Sequence, residues 1–319
     1  MCKGSGPIGL KSNRHRRCFV AGLSDHWRLM RGLNATVGSL TVPIGAVVVG
    51  VPFDAPLTVL VILHAICVWL FMAAWNVFND VMDVEGDLTN HPDRPIPSGV
   101  LSREEARSIG KRLLFASIFT LLAAAGVASL WSGDIAAWLP SLPIWFLAFG
   151  LMFHYEFEGE SSLRLKHKGL SGNLAVSLLV GLVIVFGAAA VGAAGDIRVW
   201  LVGLSAFAVN SAREIIKDIE DMQGDEGRAT LSQRIGPEKA RIIAWLMTLA
   251  GMAAMFVPFV IRLFDPNLML CMIPAILALS ATKPRLYRGE DFAAQRSLRL
   301  AMMLGLFGFL AAALFTRFL

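Results

Sequence analysis

Apolar residues gather in nine blocks along this chain, near 34 to 52, 56 to 78, 110 to 131, 135 to 154, 171 to 194, 197 to 212, 240 to 263, 267 to 282 and 298 to 318. A helix needs about 20 such residues to cross a hydrocarbon layer of about 30 Å. Polar stretches separate the blocks, so the pattern predicts an all-α, polytopic membrane bundle of about nine transmembrane helices. The sixth and eighth blocks are short and need tilt, a kink at Pro274 or flanking residues to complete a crossing.

Composition agrees: 55% of the 319 residues are hydrophobic and only 17% are charged, which excludes a soluble domain of this size. Charge then orients the spans. With nine crossings and a cytoplasmic N-terminus, 26 of the 29 Lys and Arg residues fall on the cytoplasmic side, leaving Arg198, Arg262 and Arg317 outside. A wrong count would invert the sides partway along and spoil that asymmetry. The expectation is a multi-pass protein of the cell membrane whose N-terminus and chemistry face the cytoplasm. Its partners are membrane lipids rather than nucleic acid. Residues 1–24 read as a basic cytoplasmic tail, free to be disordered and lacking the apolar core of a signal peptide. Residues 25–319 form the membrane domain. The four cysteines show neither disulfide nor zinc spacing.

Chemistry concentrates at two acidic runs, Asp80-x2-Asp83-x3-Asp87 and Asp218-x2-Asp221-x3-Asp225, separated by a constant offset of 138 residues. Spacings of three and four put each trio on one helical face. The repetition implies two pseudo-repeated halves around a cytoplasm-facing cavity. Six carboxylates aimed at one place repel one another unless cations lie between them. A metal-diphosphate site accounts for this; the duller reading is a solvated loop face. An ion-coupled transporter also carries intramembrane acids and repeats, but these aspartates lie near helix ends rather than at mid-membrane.

In full, the first run is NVFNDVMDVEGDLTNHPDRPIPSG, Asn76 to Gly99, and the second REIIKDIEDMQGDEGRATLSQRIG, Arg213 to Gly236. They resemble the two signatures of the UbiA superfamily of intramembrane prenyltransferases. Asn79, Asp80, Asp83, Asp87, Asp93 and Arg94 match the first, and Lys217, Asp218, Asp221 and Asp225 the second. The stretch LRLKHKGLSGN is similar to the family's third cytoplasmic loop, and Arg31-x2-Asn34 resembles the motif before its first helix, with Gly32 replacing the usual proline.

The resemblance implies a prenyl transfer from an isoprenyl diphosphate, with Mg²⁺ as cofactor. Asn79, Asp83 and Asp87 would serve one side of the diphosphate, Asp221 and Asp225 the other. Asp80 and Asp218 would act through water or as supporting partners. Arg94, Lys166, Lys168 and Lys217 are candidate phosphate ligands, for which positive-inside topology is the plainer explanation. Asn34, Asn173 and Arg213 complete the candidate substrate-binding set. The run from Arg213 to Asp221 is most similar to the archaeal branch that adds a second geranylgeranyl chain to geranylgeranylglyceryl phosphate, a lipid-phosphate acceptor. An aromatic acceptor is the alternative. Two departures stand against that branch: the acidic insert EFEGESS between Tyr155 and Lys166, and Leu231-Ser232 where Leu-Pro is commoner.

Overall fold

The computed structural model describes residues 22–223 and 230–316; Asp225 and all but the last three residues of the expected tail lie outside them. Among the described residues, eight helical segments are long and apolar enough to cross a membrane. In chain order the α-helices are α1 (Leu23–Leu29), α2 (Gly32–Ser39), α3 (Thr41–Val48), α4 (Ala55–Met82), α5 (Val84–Asn90), α6 (Arg103–Val127), α7 (Ile135–Trp138), α8 (Ser141–Glu156), α9 (Leu170–Ala190), α10 (Ile197–Glu220), α11 (Leu231–Ile235), α12 (Pro237–Val260), α13 (Ile273–Ser280), α14 (Thr282–Tyr287) and α15 (Asp291–Phe315).

The ninth expected segment is present but short. Window 34 to 52 folds as α2 and α3, joined at Leu40 into one apolar unit over Gly32–Val48. Pro43 explains the break: it has no N–H to offer Ser39, and its ring crowds that carbonyl. The short sixth and eighth windows do borrow flanking residues, as α10 over 24 residues and as the continuous helical run Pro266–Tyr287.

Helix length decides where the motifs sit. α4 has 28 residues, about 42 Å at about 1.5 Å per residue, against a hydrocarbon layer of about 30 Å. Its last turn, which carries Asn79 and Asp80 and is followed by Asp83, therefore emerges at the bundle's end. α10 delivers Asp218 in the same way. Asp54 caps the other end of α4 by accepting from the Leu57 amide at 2.8 Å, and Asp196 caps α10. Burial works against the Asp196 carboxylate, but hydrogen bonds from the Arg198 guanidinium and amide outweigh it and hold the carboxyl below its usual range.

The halves repeat one packing scheme: α4 lies along α6 as α10 lies along α12, while α9 packs against α3, α8 and α10. The larger core joins α9, α10, α12 and α15 around Ile184, Ile215, Phe259 and Phe309. A second joins α4, α6 and α8 around Leu60, Leu121 and Trp145. α3 meets α9 so closely that a Cβ on Gly45 would strike the Ile184 carbonyl and one on Gly187 the Val42 carbonyl. Backbone cannot yield as a side-chain tip can. Gly187→Val is expected to cost at least the ~1–3 kcal/mol typical of overpacking, read as a lower melting temperature in detergent.

Candidate active site

Three chain segments converge on the last turn of α4. Arg31, in the left-handed backbone region at φ 47°, turns its guanidinium from the α1–α2 junction to Asn79 Oδ1 (2.9 Å) and Asp80 Oδ1 (2.6 Å). Positive φ is strained for a residue with a Cβ, and neighbouring contacts hold it. Asn76 Nδ2 donates to the Met30 carbonyl at 3.0 Å, and Arg28 Nη2 to the Asp93 carbonyl at 2.6 Å. The Trp27 ring covers Gly32 so tightly that no side chain fits there, which accounts for the missing proline. From the loop after α5, Arg94 Nη1 reaches Asp87 Oδ2 at 2.5 Å and Asp80 Oδ1 at 3.4 Å. Asp80 is 2% exposed, and a carboxylate so enclosed is held by its cations.

Asp83, at the junction of α4 and α5, is the open member of this motif, its side chain 24% exposed. Lys166 Nζ donates to both its oxygens, at 2.8 and 2.7 Å, and to Glu156 Oε1 at 2.9 Å. Asn79 Nδ2 bridges the same two carboxylates, 3.0 Å from Asp83 Oδ2 and 3.2 Å from Glu156 Oε1. The strand of loop between them is folded back: Ser162 Oγ donates to the His154 carbonyl and the Leu163 amide to His154 Nδ1. Phe157 adds ring contacts to Trp75 and Phe78. The insert that breaks the family pattern is thus what returns Lys166 to the end of α8.

The second motif faces the same loop. Asn173, in the first turn of α9, donates to Asp218 Oδ2 at 2.9 Å, and Asn210 and Ser177 tie that turn to α10. Ser232, in place of proline, donates to the Asp218 carbonyl at 2.9 Å, satisfying a helix-end acceptor that proline would leave bare. Lys217 pairs with Asp221 at 3.4 Å, and Arg213 pairs with Glu214. A small cavity lies between the Lys166 loop and the second motif, bounded by Tyr155, Lys166, Asn173, Glu214, Lys217 and Asp218 among others.

Of the sequence candidates, Asn79, Asp80, Asp83, Asp87, Arg94 and Lys166 stand in one contact network, with Asn173, Lys217 and Asp218 across the cavity. Asn34 is exposed and makes no side-chain hydrogen bond to a described residue, and exposed Lys168 forms no ion pair with one. Glu156 is the residue that sequence reasoning missed. Its signal was an acid directly after Tyr155 at the C-terminal end of an apolar span, where the helix dipole disfavours an anion.

Among the described residues no three acidic, histidine or cysteine side chains stand together as a ready-made metal cluster; each first-motif aspartate is turned to a cationic side chain instead. The donor set nevertheless fits a hard divalent ion. It consists of carboxylate and amide oxygens, and the cationic partners are ones a carboxylate can exchange. Asp83 and Asp221 are the accessible members.

A model of the UbiA prenyltransferase family matches residues 37–307. The digeranylgeranylglyceryl phosphate synthase of Thermococcus gammatolerans is 32% identical over 304 residues, 93% of this chain and 99% of that protein. A solved structure described as giving insight into digeranylgeranylglyceryl phosphate synthase in membranes superposes with a TM-score of 0.66 at 24% identity, covering 91% of this chain and 98% of its own. A UbiA homolog from Archaeoglobus fulgidus bound to GPP and Mg²⁺ superposes with a TM-score of 0.61 at 14% identity, covering 92% and 100%. These structures share the all-helical membrane fold.

Proposed function

We infer the reaction from one premise: the chain belongs to the UbiA prenyltransferase family. It is a multi-pass membrane enzyme. Its donor is geranylgeranyl diphosphate, its acceptor geranylgeranylglyceryl phosphate, and its product digeranylgeranylglyceryl phosphate with diphosphate released, a step toward ether lipids of the archaeal type. The observation that carries this reading is the end-to-end similarity to synthases of that name, borne by a chain whose two motif helices end around one set of cations and carboxylates. The site faces the cytoplasm of the cell membrane, the side on which the basic loops lie.

Mg²⁺, when bound, neutralises the charge that builds on the departing diphosphate. Asn79, Asp83 and Asp87 would serve one side of the diphosphate and Asp221 and Asp225 the other, their carboxylates holding the ion there. Asp80 orients Arg31 and Arg94, and Asp218 is oriented by Asn173. Arg94, Lys166 and Lys217 take non-bridging phosphate oxygens, Lys168 lies at the rim, and Arg213 stands on the acceptor side with Asn34 near the first-helix entrance. The allylic C1–O bond breaks, the glycerol hydroxyl oxygen bonds to C1, and the hydroxyl proton has three acceptors within the site: Asp218, Glu214 and the released diphosphate. The apolar bundle keeps water from capturing the allylic cation.

A product assay tests this. Purified protein with Mg²⁺ and geranylgeranyl diphosphate is offered either geranylgeranylglyceryl phosphate or an aromatic acid. The diether is the expected product. Prenylation of the aromatic acid alone would keep the family and overturn the acceptor.

A further inference from the structure

We propose that Glu156 is a positioning residue: it keeps Lys166 and Asn79 in place when Asp83 turns to a divalent cation, so that Lys166 does not compete for Asp83. This rests on the reading above that Asp83 holds the cation.

The geometry separates an anchor from an exchangeable ligand. Two donors, Lys166 Nζ and Asn79 Nδ2, are shared between two carboxylates. Glu156 is the enclosed one, 1% exposed at its side chain, and Asp83 is the open one at 24%. Glu156 sits at the negative end of the α8 dipole, out of water, so its charge persists only while those donors stay with it. Asp83 is reached by solvent, so its charge depends less on those donors. Lys166 is itself 8% exposed and its loop is pinned to the end of α8, so it cannot swing into solvent once Asp83 leaves it.

Remove the Glu156 charge and the balance inverts. Of the two carboxylates that Lys166 touches among the described residues, Asp83 alone then keeps a charge, and the ammonium binds it as an internal counter-ion in place of the metal. The Asn79 amide also loses the partner that, with Arg31 at its oxygen, fixes which way it faces. Residues that orient metal ligands in this way typically change metal affinity about 10–100-fold when mutated.

The test uses the full chain in detergent, with Mn²⁺ alone as the probe, reading free Mn²⁺ by electron paramagnetic resonance. Glu156→Gln is expected to weaken Mn²⁺ binding about tenfold or more. Adding Lys166→Met removes the competitor and is expected to return Mn²⁺ affinity to at least that of the unmodified protein, though turnover stays low. A purely structural role would leave the double variant as weak as the single one, and that result overturns the proposal, as does wild-type affinity in Glu156→Gln. The double variant contains neither buried charge, so it carries the test by itself if the single one does not fold: affinity below wild type counts against the proposal. Asp83→Asn is measured alongside. If it binds Mn²⁺ as well as the unmodified protein, the failure lies in the assignment of Asp83 and not in the part given to Glu156.

Discussion

Asp83→Asn is expected to lower kcat/KM about a thousandfold, roughly 4 kcal/mol of transition-state stabilisation, without a matching loss of folded protein. The substitution keeps the side chain's shape and an oxygen that can accept from Asn79 Nδ2. Lys166 keeps Glu156 as a partner, so no buried charge is stranded and the fold has little reason to suffer. What disappears is the most accessible of the three charges on Asp80, Asp83 and Asp87. Asp221→Asn removes the accessible charge of the second motif and is expected to act similarly, whereas Glu104→Gln, on the exposed first turn of α6, serves as a neutral control. Steady-state kinetics on geranylgeranyl diphosphate, with melting temperatures for each variant, decide the matter. Near-normal turnover in Asp83→Asn at saturating Mg²⁺ would remove Asp83 from the diphosphate site.

How far this site was legible in the chain depends on what kind of information each residue carries. The aspartates announce themselves because helical periodicity and a repeated spacing are local properties, and the apolar blocks give the spans for the same reason. Long-range pairing is different. That Arg31 would reach Asp80 from 49 residues away, or that Lys166 rather than Lys168 would turn inward, depends on how a loop folds back on α8. Neighbouring lysines in a basic loop look alike in sequence; only the turn after Arg164 separates them. The acidic insert reads as a departure from the family because alignment registers length, while its first residue, Glu156, contributes through position. Ser232 and Gly32 teach the same lesson on a smaller scale, each replacing a proline at a place where this chain needs a hydroxyl donor or room for a tryptophan ring.

The second large effect follows from burial rather than catalysis. Lys166→Met is expected to destabilise the protein by about 3–5 kcal/mol, the usual cost of removing one partner from an enclosed ion pair. The ammonium is shared by Asp83 and Glu156, and among the described residues Glu156 otherwise has the Asn79 amide alone. Asp83 keeps partial access to solvent, but the Glu156 carboxyl at the end of α8 would lose the Lys166 ammonium while almost without solvent, and must either carry an uncompensated charge or take up a proton. The cost should therefore be recoverable: adding Glu156→Gln to Lys166→Met is expected to restore most of the stability, because two neutral side chains of similar length then occupy the space. Thermal unfolding in detergent of the two single variants and the double one completes a thermodynamic cycle. If the double variant unfolds as early as Lys166→Met alone, the loss comes from packing along the lysine stem, and Glu156 is not the group that Lys166 holds.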